Sequence, residues 1–125
     1  MHAQARALFD QLPGLDLVLA SPLVRATQTA EILVSAFDLD TPVLASRVVS
    51  EPASVEHLAR RIRDVHAPIG VVAVVGHEPT MSGLLEHLIG GASLGFRTGQ
   101  AVLLEAGRDR FEPRGAWHGG APVPL

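Results

Sequence analysis

The chain has 125 residues, 47% hydrophobic and 18% charged, with a mean hydropathy of +0.27, which fits one domain with a real core and excludes an intrinsically disordered chain. A formal net charge of −3 and a pI near 6.0 argue against general binding to nucleic acid or anionic membranes, which need clustered basic groups to displace counterions. The absence of cysteine removes disulfides, thiolate catalysis and Cys-based zinc sites.

Every basic residue is an arginine. Arginine suits bidentate phosphate contacts, but a GC-rich coding sequence produces the same bias and is the simpler reading. No apolar run is long enough for a membrane span. The first residues (Met1, His2, Ala3, Gln4, Ala5, Arg6) lack a basic segment followed by an apolar core, so the expected location is the cytoplasm.

Taken in chain order, residues 2–12 read as a helix with Ala5, Leu8, Phe9 and Leu12 at helical spacing. Pro13-Gly14 stops it. Leu15 to Ala20 is a short apolar run that reads as a buried strand. Ser21-Pro22 has the form of an N-cap with proline at the first helical position, opening a helix to about Phe37. Val43, Leu44, Val48 and Val49 predict a second strand ending near Ser50. Ser54 is a suitable N-cap for a helix to about Val65, with Val55, Leu58, Ala59 and Ile62 on one face. Gly70 to Val75 (GVVAVV) is apolar on both faces, as a central parallel strand must be. A helix then runs to about Ile89 and closes at Gly90-Gly91. Ala101 to Glu105 is a further strand, and Arg110 to Glu112 a short edge.

Residues 1–112 therefore form the expected domain. Residues 113–125, rich in Gly and Pro, are expected to be an irregular tail with Trp117 docked on the core. Strands alternating with helices predict an α/β fold, a mostly parallel sheet with helices on both faces.

Two strand–turn–helix junctions carry the functional signal. The first is Leu15–Ala20 followed by Ser21-Pro22-Leu23-Val24-Arg25. The second is Val71–Val75 followed by Gly76-His77-Glu78-Pro79. Ligands of open parallel sheets bind at the carboxyl ends of the strands, and helix N-termini there favour phosphate. Arg25 lies in a first helical turn and can present a fork of donors. His77 lies at the tip of the most apolar strand. Each has a plain alternative. Arg25 could pair with Glu31 or a carbonyl, and His77 could simply cap its helix. Glu51, at a third strand end, could exchange a proton with a leaving group or be a loop carboxylate. No histidine pair has metal-ligand spacing, and Gly90-Gly91 and Gly119-Gly120 lack the residues of a nucleotide loop. No metal or cofactor is expected.

The run Ser21 to Leu33 (SPLVRATQTAEIL) resembles the Ser-Pro-Leu-x-Arg-Ala-x-Gln-Thr-Ala-Glu signature of histidine phosphatases. Val74 to Pro79 (VVGHEP) is similar to the Val-Gly-His-Glu-Pro segment of SixA-type phosphohistidine phosphatases. The order and separation of the two segments fit, and the resemblance spans residues 2 to about 105. It implies a three-layer α/β fold and phosphoryl transfer through a phosphohistidine intermediate. Arg25 then matches the second arginine and His77 the second histidine of a cationic phosphate pocket. Glu51 lies where many relatives carry an acid.

The family's nucleophile belongs to an Arg-His-Gly motif on its first, central strand, and no Arg-His-Gly occurs in this sequence. His2 matches a residue of the family's first helix. The resemblance therefore implies a phosphatase fold from which that first strand is missing, inactive as written. It further implies marginal stability and possible edge-to-edge self-association through unpaired strands. The implied partner is a phosphohistidine protein or, as the main rival, a small phosphate ester. A non-catalytic phosphate- or phosphoprotein-binding module and an inactive remnant are the competing readings.

Overall fold

The computed structural model describes residues 2–37, 40–50, 55–91, 99–107 and 109–124. The elements are α1 (His2–Gln11), β1 (Leu17–Ala20), α2 (Val24–Phe37), β2 (Val43–Ala45), a 3₁₀ helix (Arg47–Ser50), α3 (Val55–Ile69), β3 (Val72–Val75), α4 (Thr80–Ile89), β4 (Gln100–Ala106), β5 (Phe111–His118) and β6 (Ala121–Val123). They form two three-stranded sheets. One is parallel, in the order β2-β1-β3, and the other is antiparallel, in the order β4-β5-β6. The described strands are thus divided between parallel and antiparallel pairing, where a mostly parallel sheet was expected.

In the parallel sheet, successive residues point to opposite faces, and the packing follows that alternation. Val18, Ala20, Ala73 and Val75 meet Ala5 of α1 and Ala30, Leu33 and Val34 of α2 in one apolar cluster. Leu19 and Val74 pack instead on a second cluster built from Val49, Leu58, Ala59, Ile62, Leu84, Leu88 and Phe111. Helices α1 and α2 therefore cover one face and α3 and α4 the other. An edge-to-face contact between Phe9 and Phe37, with ring centroids 5.3 Å apart, ties α1 to α2.

Two expectations are corrected. The second strand does not reach Ser50: it ends at Ala45, and Arg47–Ser50 is a 3₁₀ helix. Ser46 causes the change. Its hydroxyl accepts from Val48 N–H and its carbonyl accepts from Val49 N–H, a local pairing that competes with a ladder. The same turn drives Val49 into the core at 1% exposure.

The Gly/Pro-rich tail is not irregular. Phe111–His118 pairs with β4 along its length, and Gly119-Gly120, both at positive φ, turns the chain into β6 with His118 opposite Ala121. A two-residue loop with two positive φ values matches the twist of a hairpin. Pro113 is accommodated where the ladder shifts register between Leu103 and Leu104. Trp117 is buried, as expected.

Helix α1 is fastened to the antiparallel sheet by one side chain. Gln4, 2% exposed, donates to the carbonyls of Gly99 (3.0 Å) and Trp117 (2.7 Å) and accepts from Gly120 N–H (2.9 Å). Three hydrogen bonds nearly exhaust the amide's capacity in a setting where an unmet one is costly.

Candidate functional site

The two junctions are brought to one place by register. Ala20 lies opposite Val75, the last residues of β1 and β3, and Ser21 N–H donates to Val75 O at 2.9 Å. Both chains therefore leave the sheet at the same carboxyl edge, which is where parallel sheets place ligands. Arg25 follows on α2 and His77 on the turn before α4.

At the first junction, Ser21 is fully buried. Its hydroxyl accepts from Leu23 N–H at 3.3 Å, which holds the Ser-Pro-Leu turn, and the helix begins at Val24. Leu23 and Val24 are 54% and 69% exposed. Arg25 is exposed in the first helical turn. It makes no hydrogen bond or ion pair among the described residues, and the pairing with Glu31 considered from sequence is absent. Its guanidinium is therefore not committed to a structural contact.

At the second junction the capping question is resolved. The Glu78 carboxylate, not the His77 ring, caps α4: it accepts from Ser82 N–H at 2.8 Å and from the Ser82 hydroxyl. The Glu78–Pro79 peptide is cis. His77 contributes only its carbonyl, which accepts from Met81 N–H at 3.0 Å. Its Nε2 is buried and has no hydrogen-bond partner. Leaving such an atom unsatisfied costs about 1–3 kcal/mol, and among the described residues it has no partner.

The turn between them is tight. A Cβ on Gly76 would lie 2.9 Å from Met81 Sδ, 3.1 Å from Val49 Cγ1 and 3.2 Å from the Val49 carbonyl. Only glycine lets the end of β3 pass this close to the 3₁₀ helix.

Glu51, the third candidate, lies outside the described residues. No group of three His, Asp or Glu able to hold a metal occurs among the described residues. No helix among them is long and apolar enough to cross a membrane. Sequence reasoning named Arg25 and His77 but did not separate His77 from Glu78 as the cap. The spacing of Glu78 and Ser82, one helical turn apart, was the available signal.

Together these features define an α/β fold with a cationic and an orphaned polar group at the mouth of a parallel sheet. No family model matches the chain, and no curated protein matches its sequence. Among solved structures, the protein histidine phosphatase SixA complexed with tungstate superposes with a TM-score of 0.84 at 19% identity. The match covers 94% of this chain and 78% of that one. The chain therefore shares the fold of that protein.

Proposed function

We propose that the carboxyl edge of the parallel sheet is a phosphoryl-binding site of the phosphohistidine phosphatase type, with Arg25 and His77 as its binding groups. The carrying observation is the paired junction. Two strand ends in register present an arginine with no structural partner and a histidine whose buried Nε2 is unsatisfied, both among the described residues. The likeness to a histidine phosphatase complexed with tungstate, a tetrahedral oxyanion like phosphate, supports the same reading.

In this reading Arg25 donates a planar pair of N–H groups to two non-bridging oxygens. His77 donates from Nε2 to a third. Since that atom is closed to solvent, anion capture includes a shift of the cover over His77. Glu51 serves as a proton donor to the leaving group, a minor role when that group is an imidazole. The phosphorylated partner is a phosphohistidine protein, and the setting is the cytoplasm.

Turnover needs a nucleophile. The sequence contains no Arg-His-Gly, and neither an arginine nor the remaining electrostatics replaces covalent catalysis. These 125 residues therefore bind the phosphoryl group without hydrolysing it. The full three-layer arrangement of this reading has one more, central strand that carries the nucleophile.

Titration with tungstate, followed by NMR on the histidine ring signals, tests the site. Saturable binding that moves His77 and is weakened by Arg25→Ala is expected, with no hydrolysis of a phosphohistidine substrate. The reading fails if neither tungstate nor phosphate binds, or if Arg25→Ala leaves binding unchanged.

A further inference from the structure

The two junctions at the carboxyl edge differ in what they show to solvent. After β1, four consecutive residues, Pro22, Leu23, Val24 and Arg25, are exposed. After β3 the chain continues as Gly76, His77 and Glu78. Gly76 is packed against Met81 and Val49, and the Glu78 carboxylate is spent on the α4 cap. Val24 is 69% exposed, more than any other large apolar side chain among the described residues, and Leu23 is 54% exposed.

The packing of α2 does not account for that apolar surface. The core face of α2 is Ala26, Ala30, Leu33 and Val34. Val24 contributes its carbonyl, which accepts from the Thr27 hydroxyl at 2.9 Å. Leu23 is committed through its main chain, which donates to the Ser21 hydroxyl and accepts from Thr27 N–H. A leucine and a valine at a helix start meet none of its free N–H groups with their side chains, as Ser, Thr or Asp would. Single exposed apolar residues are ordinary. These two are consecutive, and the next residue is the arginine that has no partner among the described residues.

We propose that Val24, with Leu23 beside it, is a specificity lip that selects a phosphorylated peptide segment carrying an apolar side chain next to the phosphorylated residue, on one side only. The inference rests on the reading of Arg25 as a phosphoryl-binding group. Val24 is the neighbour of Arg25 in the first turn of α2, so a ligand held by Arg25 brings its flanking groups within reach of the lip. Side chains more than half exposed do not enclose a small molecule as small-ligand pockets do. The neighbouring residue of an extended chain can cover them, and the water released favours an apolar one. The apolar pair lies on the α2 side of the edge, while the α4 side offers His77 and the committed Glu78, so only one flank gains. A small phosphate ester without such a flank gains nothing from the lip.

The test uses three hexapeptides that carry the same stable phosphonate mimic of phosphohistidine, flanked by Leu on its amino side, by Leu on its carboxyl side, or by Gly on both. Each is titrated into the 125-residue chain. One leucine peptide should bind about five- to tenfold tighter than the glycine peptide, as partial burial of a valine and a leucine side chain requires. The preference should vanish in Val24→Ser, which keeps the net charge and suits a helix start, and persist in Val24→Ile. Circular dichroism checks that both variants are folded. The inference is overturned if the three peptides bind alike, if both leucine peptides gain equally, or if Val24→Ser keeps the preference. Tungstate reports on the phosphoryl site itself in the parent chain. Tungstate binding with no flank preference overturns the lip alone, whereas failure to bind tungstate and all three peptides removes the phosphoryl site and the lip with it.

Discussion

The parallel and the antiparallel sheet are held by different kinds of force. β1 is a short, largely buried apolar strand and β3 a half-buried one, and both pack apolar side chains on two faces. The antiparallel sheet is joined to the rest by directed contacts. Gln4 reaches across the chain to Gly99, Trp117 and Gly120, and Gly120 approaches α1 so closely that a Cβ would lie 2.8 Å from the Ala3 carbonyl. Burial tolerates exchange among apolar residues of similar size. A hydrogen-bond clamp does not tolerate loss of its one donor–acceptor side chain. The proposed phosphoryl-binding groups, Arg25 and His77, follow the strands of the first sheet, so in that reading the second sheet can be weakened without touching the site's chemistry.

That contrast can be broken most directly at Gln4. Gln4→Leu removes three hydrogen bonds and leaves buried main-chain groups unmet, and should cost about 3 kcal/mol in urea unfolding. Gly120→Ala should cost about 2 kcal/mol, because φ is +84° and the methyl meets Ala3. If either variant unfolds like the parent, the clamp is not what holds α1 to the sheet. Neither should change tungstate affinity under conditions where the protein is folded.

The converse change belongs to Arg25. Arg25→Ala should weaken tungstate binding by about tenfold or more, the worth of a charge-assisted contact, with the melting temperature unmoved because the side chain is exposed and unpartnered. A smaller effect separates the cap from the site. Glu78→Ala should destabilise the start of α4 by about 1 kcal/mol in thermal unfolding, while the His77 ring signals still respond to tungstate. Loss of that response would mean that Glu78 positions the ring.

Much of the parallel half was legible in the sequence. LVLA and VAVV are uniform apolar runs, each followed within a few residues by a helical period, and that pattern is local. Arg25 and His77 were legible as candidates for the same reason: each stands within a few residues of the end of such a strand. The 3₁₀ helix at Arg47–Ser50 was not, because Val48-Val49 looks like strand until Ser46 captures the two N–H groups ahead of it. The hairpin around Gly119-Gly120 was readable in principle from two glycines between apolar flanks, but the surrounding Pro and Gly masked it. Gln4 gave no signal, since a glutamine on a helix is ordinarily solvated and its partners lie more than ninety residues away.

The sequence by itself determined which segments are strands of the parallel sheet and which residues stand at their carboxyl ends, because hydrophobic period and turn chemistry act over neighbouring residues. Only the tertiary structure decided that Gln4 ties α1 to the antiparallel sheet and that, among the described residues, Arg25 has no partner and β3 pairs on one edge only. Each of those depends on which groups distant segments bring together, and on which they leave unmet.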